Sequence, residues 1–290
     1  MNPVGSDEEM SLEEVCRVLD RIAGEAEVPS VSFTGGEATL RNDLPQMIAH
    51  ARGLGMRVNL ITNGIRCASE RYVAELAEAG LNSAQVSIEG TTAEVHDAVT
   101  QIPGSFERSV RAVANLRAAG LHVHTNTTIF RTNLEDVERF PDFVADVLEL
   151  PAFSMNFVIP TGSAPLHEDQ HLRYTELGPI LSRIQARSLE RGVELKWYSP
   201  TPACIFNTIV EGLGNKGCSA CDGLVSIGAD GRVLPCASYD RPVGDLLTTP
   251  FEEIWGGEAA RGFREKREAP PGCPACDQFA TCNGACPLYW

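Results

Sequence analysis

Stretches with an apolar residue at every third or fourth position alternate along this chain with short apolar runs. The first stretch, residues 11–24, begins with Ser11 and Glu14 at capping-box spacing, which predicts a helix. Cys16 lies on its apolar face, where we expect a small buried core residue. Further helices are predicted over residues 43–55, 68–80, 106–120, 134–149 and 174–192. The apolar runs predict strands over residues 31–37, 56–64, 81–90, 121–130 and 153–164.

The alternation of helix and strand predicts an α/β fold with a parallel sheet. Several helices end in small residues and a glycine just before the next strand, which is typical of units joined by right-handed crossovers. We expect Asp43 to cap the second helix and Pro141 to bend or break the fifth. Residues 193–199 form either a further strand or the exit from this domain.

The chain changes character over residues 199–217, where proline, glycine and asparagine dominate. We place a boundary there, between a domain over 1–200 and a smaller one over 201–290. The smaller region has a predicted hairpin turning at Asp230-Gly231 and a short helix over 250–257. Its apolar content is thin, and a core of this size rarely contributes more than ~3–5 kcal/mol. We therefore expect metal bound at its thiols to make this region fold.

Closely spaced cysteines mark the carboxyl-terminal region, with glycine, proline and alanine turns between them that let several sulfurs converge. The candidate metal ligands are Cys218, Cys221, Cys236, Cys273, Cys276, Cys282 and Cys286. This set exceeds the four thiolates of a zinc site and nearly reaches the eight of two four-thiolate clusters, so iron–sulfur clusters are favoured. Structural zinc, and disulfides or spare thiols, are the alternatives. Cys67, which follows a predicted strand, and Cys204, in the stretch over 199–217, are alternative ligands, but we interpret both as plain thiols.

Unusual residues collect where the predicted strands end. Because ligands of parallel α/β folds bind at the carboxyl ends of strands, these positions predict a binding rim. The candidates are Gly35, Gly36 and Glu37, then Asn63, then Ser87 and Glu89, then Asn126, with Thr161 and Gly162 at the last strand. Paired glycines expose backbone groups to a ligand, and Glu37 adds a negative charge suited to an ammonium group.

Charge and hydropathy exclude several classes of partner. The net charge of −15 argues against nucleic acid, whose binding depends on clustered Lys and Arg. No apolar run approaches the roughly 18–20 residues of a membrane helix. The acidic start over residues 1–14 lacks the pattern of a signal peptide, so we expect a cytoplasmic protein. In that reducing compartment, cysteines favour metal binding or free thiols over disulfides.

Residues 31–44 (VSFTGGEATLRNDL), 60–64 (LITNG) and 86–90 (VSIEG) resemble the core of radical S-adenosylmethionine (radical SAM) enzymes. The cysteine blocks, with Gly231 five residues before Cys236, resemble the SPASM extension of that superfamily. This resemblance implies a partial (β/α)6 TIM-like barrel followed by a small domain that holds auxiliary [4Fe–4S] clusters. It also implies an oxidoreductase or maturase that cleaves SAM to a 5′-deoxyadenosyl radical and modifies a peptide or small-molecule cofactor precursor. Flavodoxin or ferredoxin is the implied electron donor.

The resemblance also implies a role for each candidate residue. Gly35, Gly36 and Glu37 would hold the methionine amino group of SAM, and Ser87 and Glu89 would lie near its ribose or methionyl end. Asn63 and Asn126 would line the same pocket. The first auxiliary cluster would be bound by Cys218 or Cys221 (or both), Cys236 and Cys286, and the second by Cys273, Cys276 and Cys282.

The sequence departs from the family pattern at several points. The CX3CX2C motif, whose thiolates bind the radical SAM cluster, and the last auxiliary cysteine do not occur in residues 1–290. Ala38 stands where a proline usually follows GGE, and Ala237 stands where sulfatase-maturing members have an aspartate. We therefore expect a fragment cut at both ends, with a barrel that lacks its first strand. The alternative is a non-catalytic iron–sulfur scaffold or electron carrier.

Overall fold

The computed structural model describes residues 9–162 and 164–289. In this part of the chain, six strands form a parallel sheet and neighbour one another in chain order. They are β1 (Ser30–Phe33), β2 (Arg57–Thr62), β3 (Ser83–Ser87), β4 (His122–Ile129), β5 (Ala152–Phe157) and β6 (Glu194–Trp197). The predicted strands are confirmed, each shorter than its apolar run, and residues 193–199 contain the last strand rather than an exit.

Helices connect the strands on one side of the sheet, since right-handed crossovers between sequential parallel strands place every connection on the same face. In the described residues they are α1 (Leu12–Ala26) before β1, then α2 (Leu44–Gly53), α3 (Glu70–Glu78), α4 (Ala93–Thr100), α5 (Ser105–Ala118), α6 (Phe140–Phe143) and α7 (Tyr174–Arg191). The core between helices and sheet contains alternate strand residues such as Leu60, Val86 and Phe153.

Helix ends follow the sequence only in part. Ser11 and Glu14 form the predicted capping box of α1. Asp43 makes no capping bond to α2, because its carboxylate accepts from Arg41 Nε at 2.9 Å and Nη2 at 2.6 Å instead. Cys16 is half-buried rather than fully buried, since the buried stripe of α1 runs along another part of its circumference, through Val15, Val18, Leu19 and Ile22.

The predicted helix over 134–149 is broken, as expected from its proline. A 3-10 turn (Val137–Arg139) leads into α6, which has Pro141 in its first turn, and a π-helical turn (Val144–Leu148) follows. Helix α4 was not predicted, because its only buried residue is His96. An element without an apolar stripe gives no periodic signal.

The carboxyl-terminal region packs against α1. Its antiparallel strands are β7 (Ser226–Ile227), β8 (Arg232–Leu234) and β9 (Gly244–Asp245), and its helices are α8 (Phe251–Gly256), α9 (Glu258–Arg264) and α10 (Phe279–Cys282). The predicted hairpin is confirmed, with Gly231 at φ +84° in its turn. Glu25 on α1 accepts from Phe251 N at 2.6 Å, and Met10 N donates to Ala229 O at 2.7 Å. The boundary at residue 200 stays a prediction.

None of the helices in residues 9–162 and 164–289 is both long enough and apolar enough to span a membrane. Residues 1–8 of the acidic start lie outside the described residues.

Candidate functional site

One face of the sheet is polar, and the predicted strand-end residues share it. Side chains alternate between the two faces along a strand, and the parallel register keeps this alternation aligned between strands. Ser87 lies beside Asn126, which lies beside Ser154. Asn63 and Glu89 follow β2 and β3 in the same alternation. The face opposite the helices thus carries these four predicted residues at or near its carboxyl edge.

The Glu37 carboxylate ties the end of β1 to the end of β2. Its Oε1 accepts from Thr39 N at 3.0 Å, Thr39 Oγ1 at 2.6 Å and Thr62 Oγ1 at 2.8 Å. Its Oε2 accepts from Asn63 N at 2.7 Å. These donors occupy most of the acceptor sites of a carboxylate, so Glu37 holds the Gly-Gly loop in position. Gly35 has φ +121°, and a Cβ there would meet nothing within 4 Å, so its backbone is open to a ligand.

Two predicted asparagines are held by the protein. Asn126 Nδ2 donates to Asn156 Oδ1 at 2.6 Å, and Asn126 Oδ1 accepts from Ser154 Oγ at 2.9 Å. Asn63 Oδ1 accepts from Ile65 N at 2.9 Å. These bonds fix the orientation of both amides at the rim, while Ser87 lies half-buried between them on the same face.

Glu89 lies at the end of β3 with its carboxylate between strands. Its Oε2 accepts from Thr128 N at 2.8 Å. Burial raises the pKa of Glu89 to about 7, and the bond from Thr128 lowers it by less. A carboxyl with such a pKa exchanges its proton near neutrality, which distinguishes this position from an ordinary surface glutamate.

Residues that the sequence analysis missed hold the Glu89 segment in place. Asn133 is fully buried and its Nδ2 donates to Glu89 O at 2.9 Å, while Glu89 N donates to His96 Nδ1 at 3.0 Å. Asp136 accepts from Thr91 N at 2.5 Å and from Thr91 Oγ1 at 2.6 Å. Each of these residues has polar as well as apolar neighbours in the sequence, so no local pattern distinguishes it.

A second set of missed residues lies deeper on the polar face. His124 Nε2 lies 3.1 Å from Gln85 Oε1 and 3.3 Å from the Tyr198 hydroxyl. Burial, together with the charges of Lys196 and His122, lowers the pKa of His124 to about 4. His124 is therefore a neutral hydrogen-bonding group at physiological pH.

The predicted ligands of the first cluster lie together. Burial raises the pKa of Cys221 and of Cys236, and the thiolate charge of Cys218 adds to both. Burial, together with the charges of Cys218 and Cys236, raises the pKa of Cys286 to about 11. Cys218 and Cys236 are thus each within electrostatic reach of both Cys221 and Cys286. Lys266 Nζ donates to Cys218 O at 2.7 Å and anchors the first of them.

The remaining predicted ligands form a separate group near the loop over 199–217. Burial raises the pKa of Cys273, and the charges of Cys282, Cys204 and Cys276 raise it further. Cys204, in the loop over 199–217, lies within electrostatic reach of Cys273. Cys67 lies elsewhere, fully buried in the main core, where burial raises its pKa to about 12.

All ten cysteines are free thiols. Among residues 9–162 and 164–289, no three His, Cys, Asp or Glu side chains gather as they do around a single metal ion. In a [4Fe–4S] cluster each thiolate binds a different iron, which separates the sulfurs more widely than one ion does. The two thiol groups fit such clusters, because thiolates are soft ligands and the sulfurs of each group influence one another's pKa without surrounding a single ion site.

The first thiol group adjoins the carboxyl edge of the sheet. Tyr289, three residues after Cys286, stacks on Phe157 at the end of β5 with ring centroids 5.1 Å apart. Its ring lies 4.6 Å from that of Tyr174 at the start of α7. Burial raises the pKa of Tyr174, and the charges of Cys286 and Cys218 add to this, so the thiols and the strand ends are neighbours.

A parallel α/β sheet with a polar strand-end rim beside grouped thiols defines a cofactor-binding iron–sulfur protein. The family model described as the radical SAM superfamily matches residues 2–144, and the SPASM model, described as an iron–sulfur cluster-binding domain, matches residues 218–277. The chain belongs to the radical SAM superfamily and carries a SPASM domain, as the sequence motifs indicated. The cofactors predicted on that basis, [4Fe–4S] clusters and SAM, are those of the family.

Relatives of known activity are similar along most of the chain. The AdoMet-dependent heme synthase of Oleidesulfovibrio alaskensis is 30% identical, over 95% of this chain and 74% of that protein. The PqqA peptide cyclase of Xanthomonas euvesicatoria is 29% identical, over 93% of this chain and 73% of that protein.

Solved structures confirm the predicted fold class, a partial barrel with a small carboxyl-terminal domain. The structure of anSMEcpe with bound AdoMet superposes with a TM-score of 0.72 at 16% identity, covering 96% of this chain and 80% of that one. Streptococcus suis SuiB bound to its precursor peptide SuiA gives 0.76 at 17% identity, covering 96% and 65%.

Proposed function

We propose that this chain forms the body of a radical SAM/SPASM enzyme that modifies a peptide or cofactor precursor by hydrogen abstraction. One observation carries the proposal: the strand-end rim and the first thiol group meet at the same edge of the sheet, joined through Tyr289 and Phe157. A cosubstrate at the rim would then lie beside a redox centre.

The residues at the rim suit the methionyl and ribose parts of SAM. The open backbone at Gly35 and Gly36 can accept from an ammonium group, while Glu37 holds that loop through its bonds to Thr39, Thr62 and Asn63. Ser87 and Glu89 would bind ribose hydroxyls, since a hydroxyl and a carboxyl near its pKa can each donate or accept.

The candidate cluster ligands fall into two sets of cysteines. Cys218, Cys221, Cys236 and Cys286 would hold the first auxiliary cluster, and Cys273, Cys276 and Cys282 would hold the second. With SAM and a reduced radical SAM [4Fe–4S] cluster bound, distinct from the auxiliary clusters, these cofactors would supply the 5′-deoxyadenosyl radical for hydrogen abstraction. The protein's own part is to bind, orient and enclose the reactants.

The substrate would lie along the polar face. Gln85, His124 and Tyr198 form a hydrogen-bonded group there, and the ammonium of Lys196 is near enough to lower the pKa of His124. Such a surface suits a polar precursor with carboxylates. A heme-type precursor and a peptide both meet this description, in agreement with relatives that are heme synthases and PqqA peptide cyclases. The electron donor would be a flavodoxin or a ferredoxin.

Calorimetry with SAM under anaerobic conditions tests the rim. Ser87→Ala should weaken SAM binding by several-fold, because it removes a hydroxyl at the proposed pocket. Ser83→Ala is the matched control, since Ser83 lies on the same strand and face but four residues nearer the other edge. Equal weakening by both substitutions would show that SAM does not bind at the carboxyl rim.

A non-catalytic iron–sulfur scaffold is the second candidate, because residues 1–290 contain no CX3CX2C motif. Translating the DNA upstream of Met1 in frame distinguishes the two. A CX3CX2C motif there, with 5′-deoxyadenosine formed by the longer chain, supports the enzyme. A longer chain that binds iron but yields no 5′-deoxyadenosine supports the scaffold.

A further inference from the structure

Two cations lie against the backbone of the first thiol group without a carboxylate partner. Lys266 Nζ donates to Cys218 O at 2.7 Å, and Arg264 Nη1 donates to Cys221 O at 3.3 Å. Both residues are half-buried. Within residues 9–162 and 164–289, neither cation forms an ion pair with an Asp or a Glu. Two positive charges thus lie beside two of the candidate cluster ligands.

The end of α9 holds Lys266 in a conformation that lysine rarely adopts. Lys266 N donates to Phe263 O at 3.1 Å. Arg267 N donates to Gly262 O, also at 3.1 Å, and this pair of bonds ends a helix at a left-handed residue. Lys266 is that residue, with φ +54°, in a position where glycine is usual. A lysine kept in a sparsely populated conformation indicates a role for its side chain.

Arg264, the last residue of α9, is fixed by contacts on two sides. Its Nη2 donates to Trp255 O at 2.6 Å, and its Cζ lies 5.1 Å from the centroid of the Trp255 ring. Its Nη1 makes the bond to Cys221 O. Burial raises the pKa of the Cys221 thiol, and the charges of Arg264 and Lys266 oppose this rise. The two cations therefore act on the sulfur as well as on the backbone.

Neighbouring charged residues differ from these two, because they are paired with one another. Arg261, on the same helix, is exposed and lies 3.7 Å from the Glu258 carboxylate. Glu268 lines a small cavity together with Lys266, but its carboxylate accepts from Arg241 Nη2 at 2.9 Å. The two cations at the thiols have no such partner. Since a partly buried charge is costly without a counter-ion, they fit a site that holds an anion.

We propose that Arg264 and Lys266 are the counter-ions of the first auxiliary cluster and raise its reduction potential. Four thiolates around a [4Fe–4S] core leave a net negative charge, which increases when the cluster is reduced by one electron. Fixed positive charge nearby stabilises the more negative, reduced form. This inference rests on the proposed function, in which that cluster is held by Cys218, Cys221, Cys236 and Cys286.

Titration of the reconstituted protein with dithionite, followed by electron paramagnetic resonance, tests the proposal. Loss of a signal in Cys236→Ala identifies the first cluster. Lys266→Gln and Arg264→Gln each keep a donor for the carbonyl oxygen and remove the charge. Each should lower the equilibrium constant for reduction of this cluster about tenfold, which is about 59 mV for one electron. Lys266→Arg restores the charge and should return this constant to within about twofold of the parent value.

Arg261→Gln is the matched control, because it removes the same charge from the same helix at an exposed ion pair. It should change the equilibrium constant less than about twofold. A change no larger than that of the control, in Lys266→Gln or in Arg264→Gln, would overturn the assignment of that residue. If Lys266→Gln binds less iron, recovery of the iron in Lys266→Arg would support the counter-ion role, and loss in both would overturn it. A parent protein without iron–sulfur clusters would instead refute the proposed function.

Discussion

The Glu89 carboxyl should make folding stability depend on pH, and Glu89→Gln should remove that dependence. Burial raises the pKa of Glu89 to about 7 from an ordinary value of 4.5. The folded protein therefore keeps a proton that the unfolded chain releases. The contribution of this proton to the free energy of unfolding is complete below about pH 4.5 and is lost as the pH rises through 7. The gap between the two values corresponds to about 3 kcal/mol, at about 1.4 kcal/mol per pKa unit.

Glutamine retains the shape of the protonated side chain and stays neutral at every pH. Its carbonyl oxygen can still accept from Thr128 N, the bond that is 2.8 Å long in the parent. Glu89→Gln should therefore be more stable than the parent by up to about 3 kcal/mol at pH 8, with a difference that shrinks toward pH 5. Urea unfolding without SAM, followed by tryptophan fluorescence at several pH values, measures this difference.

The exposed Glu135 gives the matched control, and Glu135→Gln should follow the parent curve at every pH. A Glu89→Gln protein that is less stable than the parent at pH 8 would refute the reasoning. So would a difference that stays constant between pH 5 and pH 8. Either result would mean that the folded protein already holds Glu89 ionised, with its bond to Thr128 N outweighing burial.

Other substitutions and conditions test the rest of the site. Glu37→Ala removes the carboxylate that accepts four hydrogen bonds near the ends of β1 and β2. The free energy of unfolding, measured in urea, should fall by about 2–4 kcal/mol. A decrease below about 1 kcal/mol would argue that Glu37 does not hold the two strand ends together. Because the pKa of His124 is lowered to about 4, the free energy of unfolding should fall as the pH drops from about 6.5 to 4. His124→Gln should make this pH dependence weaker. An unchanged pH dependence would mean that other groups cause it. Cys236→Ala should lower the iron content after anaerobic reconstitution, and unaltered iron and sulfide would remove Cys236 from the ligands. The 290-residue chain with dithionite and SAM should yield no 5′-deoxyadenosine by chromatography, since residues 1–290 contain no CX3CX2C motif. Multiple turnovers would contradict this prediction.

The alternation of helices and strands could be predicted because burial on one side imposes a period on the sequence. The strand over 56–64 and the helix over 106–120 appear within one or two residues of their predicted ends, as Arg57–Thr62 and Ser105–Ala118. Helix α4 was not predicted from the sequence, because His96 is its only buried residue. Its position is set by contact with α5 and not by a stripe of its own.

The rim could be predicted in outline, since parallel strands end at one edge whatever their loops do. The hydrogen bonds that hold the rim together could not be predicted. Glu37 meets Thr62 across 25 residues of chain, and Asn133 meets Glu89 O across 44. No local pattern encodes such pairings, because they depend on how the crossovers bring the loops together.

The cysteines show most clearly which features the sequence predicts and which depend on the tertiary structure. Their spacing alone indicates clusters, since short turns between thiols can aim several sulfurs at one centre. Which sulfurs belong together is a matter of three dimensions. Cys286 is coupled by charge with Cys218 and Cys236, while Ala203 N in the loop after β6 donates to Cys282 Sγ at 3.4 Å. Ala203 lies 79 positions before Cys282 and can reach it only after the sheet, α7 and the carboxyl-terminal region have packed.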